Sequence, residues 1–234
     1  MQTEHTYKQY DAELESARAQ VLEMGGLVED MVNKAIDALV SGDVAMAQQV
    51  IAADDRINQL EVACDEACTQ IIARRQPAAG DLRMILTIIR IINDLERIGD
   101  KAAKISRFAV QVHDSDRITI PRYSELKYMA GLSLKMLRAS LDSFARVDTT
   151  SAASVARQDM EVDEEFHLLT RHLITYMMED PRTISTFIDL MFVAKAIERI
   201  GDHAKNISEH VVFMVKGKNV RHATIEELEK EAAA

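Results

Sequence analysis

The chain has 234 residues, with 28 Lys and Arg against 38 Asp and Glu, giving a formal net charge of −10 at pH 7. Such acidity argues against nucleic acid as a partner, because phosphates are bound by clustered lysines and arginines; at 47% hydrophobic and 28% charged residues the chain also lies outside the disordered regime. Eight Gly, three Pro, no Trp and 5% aromatic residues are too little turn and strand chemistry for a sheet-rich fold, so long helices are predicted.

The first twenty residues mix charge and polarity with no apolar run of signal-peptide length, which predicts a cytoplasmic protein. A first helix follows over about residues 11–40, with Leu14, Ala17, Val21, Met24, Val28, Met31, Ala35 and Ala38 at alternating spacings of three and four, the apolar stripe of a bundle helix. Ser41, Gly42 and Asp43 break it. The second helix carries Ile57, Leu60, Cys64, Ala67 and Ile71 and stops near Gln76, because Pro77 disfavours helical geometry in the residue before it. Asp81 is the predicted N-cap of the third, whose stripe is Ile85, Ile88, Ile92, Leu95, Gly99, Ala102 and Ala109. Its apolar stretch over 84–92 is interrupted by Arg90 and falls short of the ~20 residues that cross a bilayer, so no membrane span is predicted, and any membrane contact is peripheral.

Residues 113–121 read as a link, after which the pattern starts over. The fourth helix (about 122–147) presents Ala130, Leu134, Leu137, Leu141 and Phe144; the fifth (about 150–178) presents Val162, Phe166, Leu169, Leu173 and Tyr176. The sixth (about 183–216) presents Phe187, Leu190, Ala194, Ile197, Gly201, Ala204 and Val211. Thr224 and Glu227 have capping-box spacing for a short polar helix, read as a peripheral tail. A shift of 102 positions lays Leu95-Glu96-Arg97-Ile98-Gly99-Asp100 on Ile197-Glu198-Arg199-Ile200-Gly201-Asp202, whereas Met24-Gly25-Gly26 meets Met129-Ala130-Gly131 at 105. The length difference is therefore expected between the first and fourth helices and the rest. The predicted fold class is all-α: two similar three-helix bundles in tandem, end to end, over residues 1–116 and 117–217, with a polar tail over 218–234.

The chemistry-bearing residues sit beside the stripes. With Leu95 at heptad position d and Gly99 at a, Glu96 and Asp100 fall on the flank of the core, one helical turn apart, and Glu198 and Asp202 repeat them. The second helix offers Glu61 and Asp65 on the equivalent flank, and a shift of 102 sets them on Asp163 and His167. Oxygens grouped on two adjacent helices suit a hard or borderline cation: iron, manganese, magnesium or carboxylate-bound zinc, not a closed thiolate site. The plainer reading is a solvated charged flank, with Lys104 four residues after Asp100 as an ordinary ion pair; but Asp202 has Asn206 there, so that pairing does not carry across the repeat.

Gly99 and Gly201, in mid-helix core positions, point to close helix approach, and Cys64 and Cys68 to packing. His5, His113, His172, His210 and His222 are expected to be exposed, with His167 and His203 kept as possible ligands. No glycine-rich phosphate loop and no nucleophile motif is present, so no enzyme is expected.

The doubled motif at 95–100 and 197–202, with Ile72-Ala73-Arg74-Arg75-Gln76-Pro77 and Thr175-Tyr176-Met177-Met178-Glu179-Asp180-Pro181, resembles the PhoU family, the phosphate-specific transport system accessory proteins, over nearly the whole chain. The resemblance implies multinuclear metal clusters, often of iron or zinc, on paired acidic motifs: Glu61 with Asp65 and Glu96 with Asp100, then Asp159 with Asp163 and Glu198 with Asp202. The pattern is not strictly symmetric, since at an offset of 102 Ile57 stands opposite Asp159 and Asp65 opposite His167. It further implies a homodimeric cytoplasmic negative regulator that couples the ATP-binding subunit of the phosphate ABC transporter to a membrane sensor histidine kinase. The rivals are a metal-free structural or membrane-surface bundle and a di-metal carboxylate enzyme, for which only Glu164 with His167 has the Glu-x-x-His spacing.

Overall fold

Seven α-helices make up the described part of the computed structural model, which covers residues 8–113, 123–221 and 223–233. They are α1 (Lys8–Ser41), α2 (Val44–Arg75), α3 (Ala79–His113), α4 (Tyr123–Arg146), α5 (Thr149–Glu179), α6 (Ile184–Lys216) and α7 (Ile225–Ala233), with one 3-10 turn over Pro181–Thr183. The predicted link between the bundles falls mainly on residues 114–122, outside the described residues.

Local chemistry sets the boundaries. Gly42 takes φ +74° and donates its N–H to the Ala38 carbonyl at 2.9 Å, after which Asp43 caps α2 by accepting from the Met46 N–H. The α4–α5 hairpin repeats this with Val147 at φ +57° and Asp148 accepting from the N–H groups of Thr150 and Ser151. Gln76, at φ +48°, closes α2 before Pro77, and Gly217, at φ +73°, closes α6 by donating to the Phe213 carbonyl. Asp81 is not the N-cap of α3. The helix starts at Ala79, and Asp81 instead accepts the Tyr10 hydroxyl at 3.0 Å, tying the start of α1 to that of α3.

Helices α1–α3 and α4–α6 form the two bundles, and every predicted stripe residue of α1, α3, α4 and α6 is buried. The bundles lie side by side, not end to end. Helices α3 and α6 run antiparallel in contact: Arg83 Nε reaches the Met214 carbonyl (3.3 Å), Thr87 Oγ1 the His210 carbonyl (3.4 Å), and Phe108 stacks on Phe192 with centroids 6.1 Å apart. Helices α1 and α4 do the same, with Arg18 donating to the Ala145 carbonyl (3.1 Å) and Lys127 to Asp37 (3.1 Å). The cause is a second apolar stripe, Ile91, Ile98 and Ile105 on α3 and Val193, Ile200 and Ile207 on α6, all fully buried. A helix apolar on two sides has to be covered on two sides.

Close approach is tightest at Gly25, where a Cβ would stand 2.6 Å from Leu141 Cδ1 across the α1–α4 crossing. At Gly99 and Gly201 the nearest atoms would be 3.4 and 3.5 Å away, ordinary van der Waals contact. The C-terminal segment is more than a peripheral tail: its capping box closes as predicted, Thr224 N–H to Glu227 at 2.9 Å and Glu227 N–H to Thr224 Oγ1 at 3.2 Å, and α7 docks on α5. There it buries Leu228 and Ala232 and receives the Thr149 hydroxyl on the Ala232 carbonyl at 2.8 Å. Among the described residues no helix is long and apolar enough to cross a membrane.

Candidate metal centres on the bundle flanks

The register of α2 decides which carboxylates belong together. Buried positions on α2 include Ala47, Val50, Asp54, Ile57, Cys64 and Cys68; on α5 they include Ala152, Val155, Asp159, Val162, Leu169 and Leu173. Each pair is 105 positions apart, so α2 and α5 follow the offset of α1 and α4, and only α3 and α6 correspond at 102. This corrects the match of Glu61 to Asp163 and of Asp65 to His167: Asp54 is the counterpart of Asp159, and Asn58 of Asp163. A buried carboxylate occupies one rung of the stripe, which an apolar pattern alone passes over.

In the first centre Asp54 and Glu61 on α2 meet Glu96 and Asp100 on α3. Gly99 lies at the crossing, where its missing Cβ would be 3.7 Å from Asp54 Oδ1. Burial, then the charge of Asp100, holds the Asp54 carboxyl above its ordinary range, and burial with the charges of Asp100 and Glu61 does the same for Glu96. Arg107 approaches Asp54 only to 3.9 Å. The lysine expected to pair with Asp100 is directed elsewhere, Lys104 Nζ standing 6.0 and 5.7 Å from the ring centroids of Phe108 and Phe192.

In the second centre Asp159 and Asp163 on α5 face Glu198 and Asp202 on α6. Burial and Asp159 raise the Asp163 carboxyl; burial and Glu198 raise that of Asp202. Here cations are built in. Lys205 Nζ donates to Asp159 at 2.8 Å, Lys195 to Glu198, and Arg199 Nη1 to Asp202 at 2.9 Å. Asp202 therefore has an ion pair after all, with the arginine three residues before it.

Among the described residues no three His, Cys, Asp or Glu side chains are arranged to hold a metal ion. Each centre nevertheless keeps one buried acceptor without a hydrogen-bond partner, Asp54 Oδ1 and Glu198 Oε2, the latter with Arg199 Nε at an ion-pair distance of 3.6 Å. An unsatisfied buried acceptor costs ~1–3 kcal/mol or more when charged, a cost that a cation among these oxygens would relieve. The donor set fits a hard or borderline metal.

The other predicted ligands divide. The charge of Asp65 bears on Cys64 and Cys68, free buried thiols that share a hydrogen bond. His167 is exposed, its ring centroid 5.8 Å from that of Phe166, with its charge acting on Asp163. His203 turns to the α3–α6 seam, where its Nδ1 lies 2.8 Å from Asp94 Oδ1, and His210, expected to be exposed, places Nε2 3.2 Å from Asp94 Oδ2. Burial pushes the Asp94 carboxyl up, but the bonds and charges of both histidines outweigh it and hold the carboxyl below the ordinary range. Asp94 belongs to none of the predicted acidic motifs, and the one mark it leaves in the sequence is its mismatch with Ala196 at the repeat position. His172, also expected to be exposed, pairs with Glu125 at 3.2 Å. His5, His222 and the His113 side chain lie outside the described residues.

The PhoU domain family matches residues 21–109 and 126–211, one stretch on each repeat. The chain belongs to this family. It is 47% identical over 230 residues to the phosphate-specific transport system accessory protein PhoU homolog of Pseudomonas aeruginosa, covering 98% of this chain and 94% of that one. It is 44% identical over 226 residues to the phosphate-specific transport system accessory protein PhoU of Escherichia coli, covering 97% and 93%. The crystal structure of PhoU from P. aeruginosa superposes with a TM-score of 0.85 at 48% identity over 89% of this chain and all (100%) of that chain. The phosphate transport system regulatory protein PhoU from Streptococcus pneumoniae does so at 0.83 with 31% identity over 90% and 99%. The predicted all-α tandem-bundle fold is thus the PhoU fold.

Proposed function

We propose that this chain is a cytoplasmic negative regulator of phosphate uptake and of the phosphate-starvation regulon, a homodimeric adaptor between the ATP-binding subunit of the phosphate ABC transporter and a sensor histidine kinase. The observation that carries this reading is near-full-length identity of 47% and 44% to proteins named as accessory to phosphate-specific transport. Work of this kind rests on surface complementarity, which a rigid acidic double bundle can supply. The di-metal enzyme alternative loses support because Glu164 and His167 are both exposed instead of lining a core. The test is a deletion strain carrying a phosphate-starvation reporter. Expression of this chain is expected to restore repression in phosphate-rich medium; a reporter that stays on despite normal protein levels rejects the reading.

In this reading the flanks hold metal. Asp54, Glu61, Glu96 and Asp100 take one iron, zinc, manganese or magnesium site, with Asp65 one turn further along α2 available to a multinuclear one; Asp159, Asp163, Glu198 and Asp202 take the second. The bound ion supplies positive charge between paired helices, offsetting the burial and then the mutual repulsion that raise Asp54, Glu96, Asp163 and Asp202. Because Lys195, Arg199 and Lys205 compete for the second set, the first is expected to bind more tightly. Elemental analysis of Glu96→Ala/Asp100→Ala should show the larger loss of metal, Glu198→Ala/Asp202→Ala the smaller, with helicity kept in both. Unchanged metal content in the quadruple variant refutes the sites.

A further inference from the structure

A cleft of about 390 Å³ opens between α3, α6 and the segment after α6, and its lining contains none of the carboxylates of the two acidic centres. At its floor is Asp94, held by His203, His210 and Asn206, whose Nδ2 donates at 3.3 Å. Around it stand Arg90, Arg97 and Arg221. Among the described residues none of the three has a carboxylate at ion-pair distance. Arg90 stands over the Phe213 ring, its Cζ 4.7 Å from the ring centroid. Glu209 also lines the cleft, its carboxyl held up to about 7 by burial, so it offers little opposition to an anion under mildly acidic conditions. The cleft thus sets three guanidiniums against two carboxylates, Asp94 and Glu209, with the charge of Arg221 acting on Glu209, and the arginines keep one positive charge in excess.

The duplication points the same way. The repeat counterparts of Asp94, Asn206, His210 and Arg90 are Ala196, Lys104, Phe108 and Phe192. At that end of the seam the Phe108–Phe192 stack fills the space and Lys104 covers it. The bundle pair can therefore be closed without a polar cleft, and this one is an addition at one end.

We propose that this cleft binds a small phosphorylated anion carrying more than one phosphoryl group. The guanidinium fork matches phosphoryl oxygens two at a time. Arg90 and Arg97 lie two turns apart on one face of α3, about 10 Å along the axis, too far to serve a single tetrahedral anion together. The volume is also that of a small-molecule site, about 300–1,000 Å³, and exceeds what a lone ion fills. The site stands whether or not the acidic centres hold metal.

Titration calorimetry of the full chain, stripped with EDTA and dialysed, against inorganic pyrophosphate tests this. Saturable one-to-one binding is expected, weakened at least tenfold by Arg97→Ala or Arg221→Ala and also by Arg97→Lys, which keeps the charge and loses the fork; orthophosphate should bind more weakly. No saturable binding up to about 1 mM, or an unchanged Kd in a folded Arg90→Ala/Arg97→Ala/Arg221→Ala variant, overturns the proposal. So does binding that returns only when metal is added back, which would place the anion on the acidic centres. Arginine-dependent sedimentation with phosphatidylglycerol vesicles in the absence of pyrophosphate binding would assign the arginines to a lipid surface and equally overturn it.

Discussion

Two residues 105 positions apart, Gly42 and Val147, hold the same left-handed place in the two interhelical hairpins. Glycine adopts it freely, whereas a β-branched residue there is an outlier with a penalty of roughly 1–2 kcal/mol. Val147 is exposed, 43% of its surface open, so its side chain returns little burial. Val147→Gly is expected to stabilise the fold by about 1 kcal/mol, or roughly 3 °C in melting temperature for a chain of this size. A thermal melt that moves downward would show that the strain is absent. The same scale explains why Gly25 and not Gly99 is the sterically constrained glycine: 2.6 Å to a buried leucine leaves no room for a methyl, and 3.4 Å does.

Between helices, the acidic centres make stability depend on pH. Asp54 and Glu96 on one pair, and Asp163 and Asp202 on the other, all have carboxyls raised by burial and neighbouring negative charge. A raised carboxyl contributes stability that is complete below its unfolded value and is lost as pH rises through the folded one. These four groups are therefore expected to favour the metal-free protein near pH 4 and to weaken it toward neutrality. Asp54→Asn should flatten that decline while lowering metal content, and added metal should reverse the decline in the parent. Denaturant midpoints measured from pH 4 to pH 8 with and without chelator check this; a steeper decline in Asp54→Asn contradicts it.

Across the whole molecule, the second stripes of α3 and α6 join the bundles into one continuous core, and Asp94 is the polar fastening of that seam. Removing it leaves two partly buried imidazoles and an amide without their acceptor. Asp94→Ala is expected to cost about 2–3 kcal/mol, read as a lower urea midpoint with helicity retained. A change below about 0.5 kcal/mol, the usual range for a surface substitution, would mean the seam is held by its apolar stripe alone.

The sequence by itself determined the helices, most of their ends and the fact of their duplication, because spacing of three and four, glycine and proline are local signals that need no tertiary partner, whereas they misplace the Asp81 cap and the offset of the second and fifth helices. It also determined which flank carries Glu96, Asp100, Glu198 and Asp202. Only tertiary structure decided that Asp54 replaces Ile57 opposite Asp159, because a charged residue in a buried rung carries no apolar signal. Tertiary structure likewise set the bundles side by side and drew His203 and His210 to Asp94, since antiparallel packing of α3 on α6 brings together residues more than a hundred positions apart. No periodicity along the chain encodes which of two apolar stripes meets which neighbour.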